Sequence, residues 1–151
     1  MRVVAFRVKE ASVLVDHHPI ASIQKGMVLL VGFCQEDDES KLLPMAKKIV
    51  SSRIFSDESG KTNWNICQSH GEILSVSQFT LYANVKEGNR PSFTNALSFD
   101  KANALYQKWL QVLESVSGMP IPSGQFGADM DVCFVGDGPF TICFDSKELG
   151  I

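Results

Sequence analysis

The sequence is poor in the residues from which common catalytic sites are built. Its three histidines are His17, His18 and His70, the first two in a predicted turn and the third ahead of a predicted strand, where each reads most simply as a solvated polar residue. Its four cysteines (Cys34, Cys67, Cys133 and Cys143) show no CxxC or Cys/His spacing. Neither a zinc site nor a disulfide framework is therefore signalled, and free thiols are expected, with Cys133 and Cys143 as small buried side chains. There is no G-x-S-x-G elbow, P-loop, H-E-x-x-H or G-x-G-x-x-G, so no metal or organic cofactor is indicated. Gly124-Gln-Phe-Gly127 lacks a following lysine and is no phosphate cradle of the known kind. No apolar run approaches the ~18 residues of a membrane span, and the first residues lack the apolar stretch of a signal peptide. A basic excess is missing as well: 14 Lys and Arg stand against 17 Asp and Glu, for a formal charge of −3. That excludes a general nucleic-acid coat protein but leaves room for one that grips only a nucleic-acid end.

What is present is core-forming material. Apolar residues make up 44% of 151, and a domain of this length buries roughly 70% of its unfolded surface. One soluble, cytoplasmic domain over residues 1–151 is expected. Arg2 to Lys9 and Ala11 to Asp16 read as two strands joined around Lys9 and Glu10, with His17-His18-Pro19 breaking the pattern. Met27 to Phe33 is apolar on both faces, as a doubly covered strand is. Residues 42, 45, 46, 49 and 50 form a helical stripe within Asp37 to Arg53, with Ser40 as candidate cap and Pro44 near the first turn. Asp57 to Lys61 is a turn.

Gly71 to Tyr82 reads as one long strand, followed by a loop over Asn84 to Pro91. Phe99, Ala102, Tyr106, Trp109, Leu113 and Val116 recur at helical spacing between Ser98 and Ser117, and Gly118 stands at the cap position. Gln125 to Val135 and Phe140 to Asp145 read as two strands around a turn at Gly136 to Pro139. The order predicts an α+β domain with a mixed or antiparallel sheet and two main helices.

Two segments invite a functional reading. Ser77-Gln78-Phe79-Thr80 places polar side chains inside an otherwise apolar strand, and alternation puts Ser77 and Phe79 on one face, Gln78 and Thr80 on the other. The hydroxyls either bond neighbouring backbone or floor a pocket with Thr80 or Ser77 as nucleophile. A nucleophilic hydroxyl needs a base, and His70 stands ten residues earlier. Along an extended strand it would lie roughly 33 Å from Thr80, so it can help only if the chain doubles back or a second subunit supplies it. Gly138-Pro139 is either an ordinary hairpin turn or a cis peptide, which an Xaa-Pro bond adopts at a cost of roughly 0.5–1 kcal/mol.

At these residues the sequence resembles the D-aminoacyl-tRNA deacylases, also called D-tyrosyl-tRNA deacylases. The blocks that carry the likeness are Met1-Arg-Val-Val4 with Arg7, Ser77-Gln-Phe-Thr-Leu81, Gly88-Asn-Arg-Pro-Ser-Phe93, and Phe126-Gly-Ala-Asp-Met130 leading into Gly138-Pro139-Phe140-Thr141. Leu29-Leu-Val-Gly32 and Arg53-Ile-Phe55 add to it. The resemblance implies a hydrolase of D-aminoacyl-tRNA esters that serves translation quality control. It implies a homodimer with a barrel-like sheet core and active sites at the subunit interface. Ser77, Gln78, Phe79 and Thr80 would line the catalytic pocket for the aminoacylated acceptor end. Phe126, Gly127, Ala128 and Met130 would receive the terminal adenosine. Gly138 and Pro139, as a cis pair supported by Arg7, would enter the partner's pocket and reject L side chains.

Two positions depart from the family pattern: Gly136 stands where asparagine is usual, and Phe6 where glutamine is. The animal-specific relatives read P-Q-A-T where this chain has Ser77 to Thr80. Catalysis without a triad fits an ester to ribose, whose neighbouring 2′-hydroxyl can assist. Lys86 and Arg90 are candidates for phosphate contacts. The rival expectations are a non-enzymatic binder of adenine nucleotides or nucleic-acid 3′ ends, and a paralogue acting on tRNA mischarged with glycine or L-alanine.

Overall fold

The computed structural model describes residues 1–86 and 88–151 of the chain. The first element, β1 (Arg2–Val15), is a single strand where two were expected. Lys9 and Glu10 do not end it; register shifts between Phe6 and Val8 and between Val8 and Glu10 absorb them while Val8, Ala11 and Val13 stay buried. The reversal comes later, at Asp16 and His17, with φ of 49° and 64°. This left-handed pair closes a tight hairpin onto β2 (His18–Ile23), a strand the sequence reading did not contain. Next comes β3 (Gly26–Gly32), buried on both faces as expected and antiparallel to the first half of β1.

Helix α1 (Leu42–Ser51) follows a 3-10 turn at Glu39–Lys41. Asp38 caps that 3-10 turn, its carboxylate accepting the Ser40 N–H at 2.8 Å, and α1 continues from Lys41 without a side-chain cap, so Ser40 does not cap the helix. Pro44 falls in the first helical turn, where no intrahelical donor is required. The turn at Asp57 to Lys61 joins β4 (Phe55–Ser56) to β5 (Thr62–Trp64), and Asp57 Oδ1 accepts the N–H groups of Ser59 and Lys61. Then β6 (Glu72–Ser77) pairs parallel with β3. Of the loop expected over 84–91, Glu87 lies outside the described residues. Helix α2 (Phe99–Ser117) ends at Gly118, whose φ of 69° is the left-handed cap conformation.

The last strand, β7 (Asp131–Asp145), runs antiparallel along the whole of β1. It was expected as two strands about a hairpin turn. No reversal occurs, because long β1 supplies a template on both sides of the Gly138-Pro139 pair. Between the pairings Phe6↔Thr141 and Val8↔Gly136, two steps on β1 face five on β7, so Asp137 to Phe140 bulge from a continuous strand. Residues 125–130 belong to turn and loop rather than strand.

The architecture is therefore α+β with a mixed sheet, as the element order predicts. One face packs on α1 and α2 through Val3, Ala5, Leu29, Val31, Ile73, Tyr106 and Trp109. The other face curls over a smaller cluster of Val8, Val13, Val28, Leu74 and Val76. Cys133 and Cys143 are exposed, contrary to expectation, since they lie on the outward side of β7 while Phe144 points inward. Among the described residues no helix is long and apolar enough to cross a membrane.

Candidate active site

Parallel pairing brings the ends of β3 and β6 side by side, with Val31 opposite Ser77. The Gln78 N–H donates to the Val31 carbonyl at 2.7 Å, the last rung of the ladder. The expected strand to Tyr82 then gives way to a 3-10 turn, Phe79–Tyr82. Gly32 is the cause of the seat it takes. A Cβ there would lie 2.7 Å from the Gln78 carbonyl oxygen and 3.1 Å from Leu81 Cβ, so only glycine lets the turn fold back onto the sheet. Strict alternation therefore ends at Ser77. Even so, Ser77 and Phe79 both line one cavity, and Gln78 Nε2 donates to Thr80 Oγ1 at 2.6 Å.

That cavity, about 450 Å³, is walled by Ser77, Phe79, Phe93, Phe99, Phe126 and Gly127. Its aromatic walls meet edge to face, Phe79 with Phe93 at 5.0 Å and Phe99 with Phe126 at 5.2 Å. Phe79 is 56% exposed and Phe99 63% exposed, far from the core role that helical spacing assigns to Phe99. As the first residue of α2 it clears the helix–sheet core and packs over Gly127 instead, where a Cβ would come within 2.8 Å of its ring. The sequence signal for Phe99 was present as an aromatic at a helix start, but its periodicity pointed inward. Of the segment expected at the adenosine, Phe126 and Gly127 reach the cavity. Ala128 is outside its lining, and Met130 packs with the smaller core cluster on the opposite face of the sheet.

Behind the cavity, Ser75 Oγ accepts from Tyr106 Oη at 3.1 Å and from Trp109 Nε1 at 3.3 Å. Burial pushes the Tyr106 hydroxyl well above its ordinary range, partly opposed by its bond to Ser75. The far end of the 3-10 turn carries charge. Arg2 bonds Asp145 and the Leu81 carbonyl and lies over the Tyr82 ring. The Asp145 hydrogen bond raises the Arg2 pKa, and burial pushes the Tyr82 hydroxyl up strongly. Asp145 itself sits below its ordinary value. Burial works against its ionisation, and the hydrogen bond from Arg2, with the Lys147 N–H and the Arg2 charge, outweighs it.

Among the described residues no hydrogen bond joins Thr80 to a histidine or carboxylate. His70 precedes Glu72, at the opposite end of β6 from Ser77, and about 17 Å of strand separates those two ends. The Phe79 and Thr80 N–H groups, first in the 3-10 turn, meet no acceptor among the described residues. Nor, among those residues, do three His, Cys, Asp or Glu side chains gather as a metal site would need.

The Gly138–Pro139 peptide is cis, and the bulge that contains it is held by Arg7. Arg7 Nε donates to the Asp137 carbonyl at 3.1 Å and pairs with its carboxylate at 3.0 Å. Nη1 reaches the Ile54 carbonyl at 2.7 Å, and the guanidinium lies 4.7 Å from the Phe140 ring centroid. The chain does not bring this bulge to its own cavity. The bulge is level with Arg7, whereas Ser77 is level with Val3, and β1 and β3 intervene. The offset is roughly 13 Å along the strands and roughly 14 Å across them. Lys86 and Arg90 are exposed in the loop beyond Tyr82.

The chain is similar to several known proteins. Residues 4–145 match the family model described as D-Tyr-tRNA(Tyr) deacylase. A protein of Dechloromonas aromatica named D-aminoacyl-tRNA deacylase is 47% identical over 97% of this chain and 98% of its own. One of the same name from Lactobacillus delbrueckii subsp. bulgaricus is 48% identical over 96% and 99%. Among solved structures, one titled c-Myc DNA Unwinding Element Binding Protein superposes with a TM-score of 0.91 at 39% identity, covering 97% of this chain and 99% of that one. A probable eukaryotic D-amino acid tRNA deacylase superposes at 0.82 with 18% identity over 95% and 97%, a likeness of fold.

Proposed function

The chain belongs to the D-Tyr-tRNA(Tyr) deacylase family, and from that premise we propose that it hydrolyses the ester of D-aminoacyl-tRNA, releasing tRNA and the free D-amino acid. The observation that carries this reading is the aromatic cavity at the end of β6, closed by a turn whose first backbone N–H groups, among the described residues, meet no acceptor and whose hydroxyl, among those residues, bonds no base. Such a site suits a substrate that is already activated. An ester on ribose needs orientation and an oxyanion partner, and its own 2′-hydroxyl can position the attacking water. The phenylalanine walls accept the terminal adenosine by stacking. The N–H groups of Phe79 and Thr80 face the developing oxyanion. Thr80 Oγ1 accepts from Gln78 and, among the described residues, bonds no base that would make it a nucleophile.

Selectivity belongs to the Gly138–Pro139 bulge of a second copy. Because that bulge lies far from the cavity of its own chain, it can act as a chiral filter only across a subunit interface. The exposed apolar side chains Ile20, Phe134 and Val135, together with the outer edge of β7, unpaired among the described residues, are what a partner would cover. The working unit is thus a homodimer of one-domain subunits that takes the acceptor end of tRNA in the cytoplasm.

The test is deacylation of matched D- and L-tyrosyl-tRNA, with glycyl- and L-alanyl-tRNA alongside. Hydrolysis of the D ester and survival of the L ester are expected. Tight binding of the 3′ end without turnover would make the protein a binding module. Preference for the glycyl or L-alanyl substrate would make it a paralogue with a different filter.

A further inference from the structure

We infer that Arg2 is a positioning residue for the active-site turn, a role that rests on the reading of Phe79 and Thr80 as oxyanion donors. The 3-10 turn is four residues long and is joined to its neighbours at both ends. Its flanking backbone bonds are Leu81 N–H to the Gln78 carbonyl at 3.3 Å and Ala83 N–H to the Thr80 carbonyl at 3.0 Å. A turn of four residues is too short to fix its own orientation. On its entry side it is seated by the Val31 carbonyl and by Gly32. On its exit side the only side chain bonded to a carbonyl of the turn, among the described residues, is that of Arg2.

Arg2 is built for this task. It starts β1, level with Gly32 on one side and Asp145 on the other. Nε donates to Asp145 Oδ2 at 2.7 Å, which fixes the plane of the guanidinium. Nη1 is then left to donate to the Leu81 carbonyl at 2.8 Å, and the guanidinium carbon lies 4.8 Å from the Tyr82 ring centroid. Two consecutive residues of the turn are thus gripped by one planar group that is itself anchored to β7. A point-charge ammonium has no such fork. As a part-exposed ion pair, with Arg2 39% exposed, the contact adds little to global stability. Its consequence is local, at donors that must meet an oxyanion to within a fraction of an ångström.

The test compares wild type with Arg2→Met and Arg2→Lys in steady-state hydrolysis of D-tyrosyl-tRNA, with amide hydrogen exchange on the same proteins. Arg2→Met keeps an aliphatic stem against Tyr82 and removes both hydrogen bonds. The expected result is a kcat about tenfold lower, KM within about twofold of wild type, and faster exchange at Leu81 to Ala83 with Val31 and Leu74 unaffected. Arg2→Lys is expected to regain less than half of the lost rate. Unchanged kcat and exchange in Arg2→Met would overturn the inference, as would a loss of protection spread over the whole sheet. Full rescue by lysine would overturn it too, since charge alone would then suffice. If wild type itself fails to hydrolyse the substrate, the reading of the site falls, while the exchange data still decide whether Arg2 holds the turn.

Discussion

Ser75 carries two buried donors on one oxygen. Its hydroxyl is fully buried and accepts from Tyr106 and Trp109, so alanine there leaves an O–H and an indole N–H without a partner in the core. Each orphaned donor costs about 1–3 kcal/mol, and Ser75→Ala is expected to lower unfolding stability by about 2–4 kcal/mol in urea titration, with little change in m-value. Thr80 is the opposite case, exposed and served by Gln78. Thr80→Ala is expected to retain measurable deacylation. A tRNA ending in 2′-deoxyadenosine, aminoacylated at its 3′-hydroxyl, is expected to be hydrolysed far more slowly than the ribose substrate. A trapped aminoacyl ester on Thr80, or full activity on the deoxy substrate, would return Thr80 to the role of nucleophile.

Among the elements, the 3-10 turn depends most on its neighbours. Gly32 sits on a different strand, yet a single Cβ there would collide with the Gln78 carbonyl. Since that carbonyl is backbone, the turn itself must move. Gly32→Ala is expected to cost about 1–3 kcal/mol of stability, the usual range for overpacking. Its larger effect is expected in kcat, with a loss of tenfold or more, because the displaced atoms are the proposed oxyanion donors. Thermal melts and single-turnover rates on the same sample separate the two effects. The β7 bulge is held differently, by the bonds of Arg7 to Asp137 and Ile54 and its stacking on Phe140, and its neighbour Gly136 has open space around it. Phe6, the other departure from the family pattern, stacks on Phe134 at 5.2 Å, joining β1 to β7 on the exposed face.

At the scale of the whole molecule, the distance between bulge and cavity makes a prediction that one chain alone would not meet. If each site takes its cavity from one subunit and its filter from the other, two defective variants must complement. Pro139→Ala damages the filter and Phe126→Ala the cavity. A mixed dimer holds one site in which both are intact and one in which both are altered. Co-refolding equal amounts of the two variants is expected to restore D-selective hydrolysis in about half of the molecules, each with one working site, whereas neither variant alone does so. Sedimentation is expected to show a dimer at micromolar concentration. A monomer with full activity and selectivity would rule out the shared site.

Much of this is legible in the sequence alone. The helical stripe and Gly118 fixed the extent of α2 almost to the residue, because a long amphipathic period with a left-handed cap is a local signal. The doubly apolar run at Met27 announced β3, and the motif residues from Ser77 to Thr80 and from Gly138 to Pro139 were visible as polar or rigid interruptions. What a neighbour decides was not visible. Long β1 made β7 one strand instead of a hairpin, since a paired template outweighs the turn propensity of Gly-Asp-Gly-Pro. Gly32, forty-five residues before Ser77, ended β6 early and turned Phe79 and Thr80 into a helical turn. Arg2 and Asp145, at opposite ends of the sequence, became neighbours across one rung of the sheet. Periodicity and capping act within a few residues and are written in order along the chain. Close approach, clamping and the level of one strand against another exist only once distant segments are in contact, and those contacts set the geometry of the site.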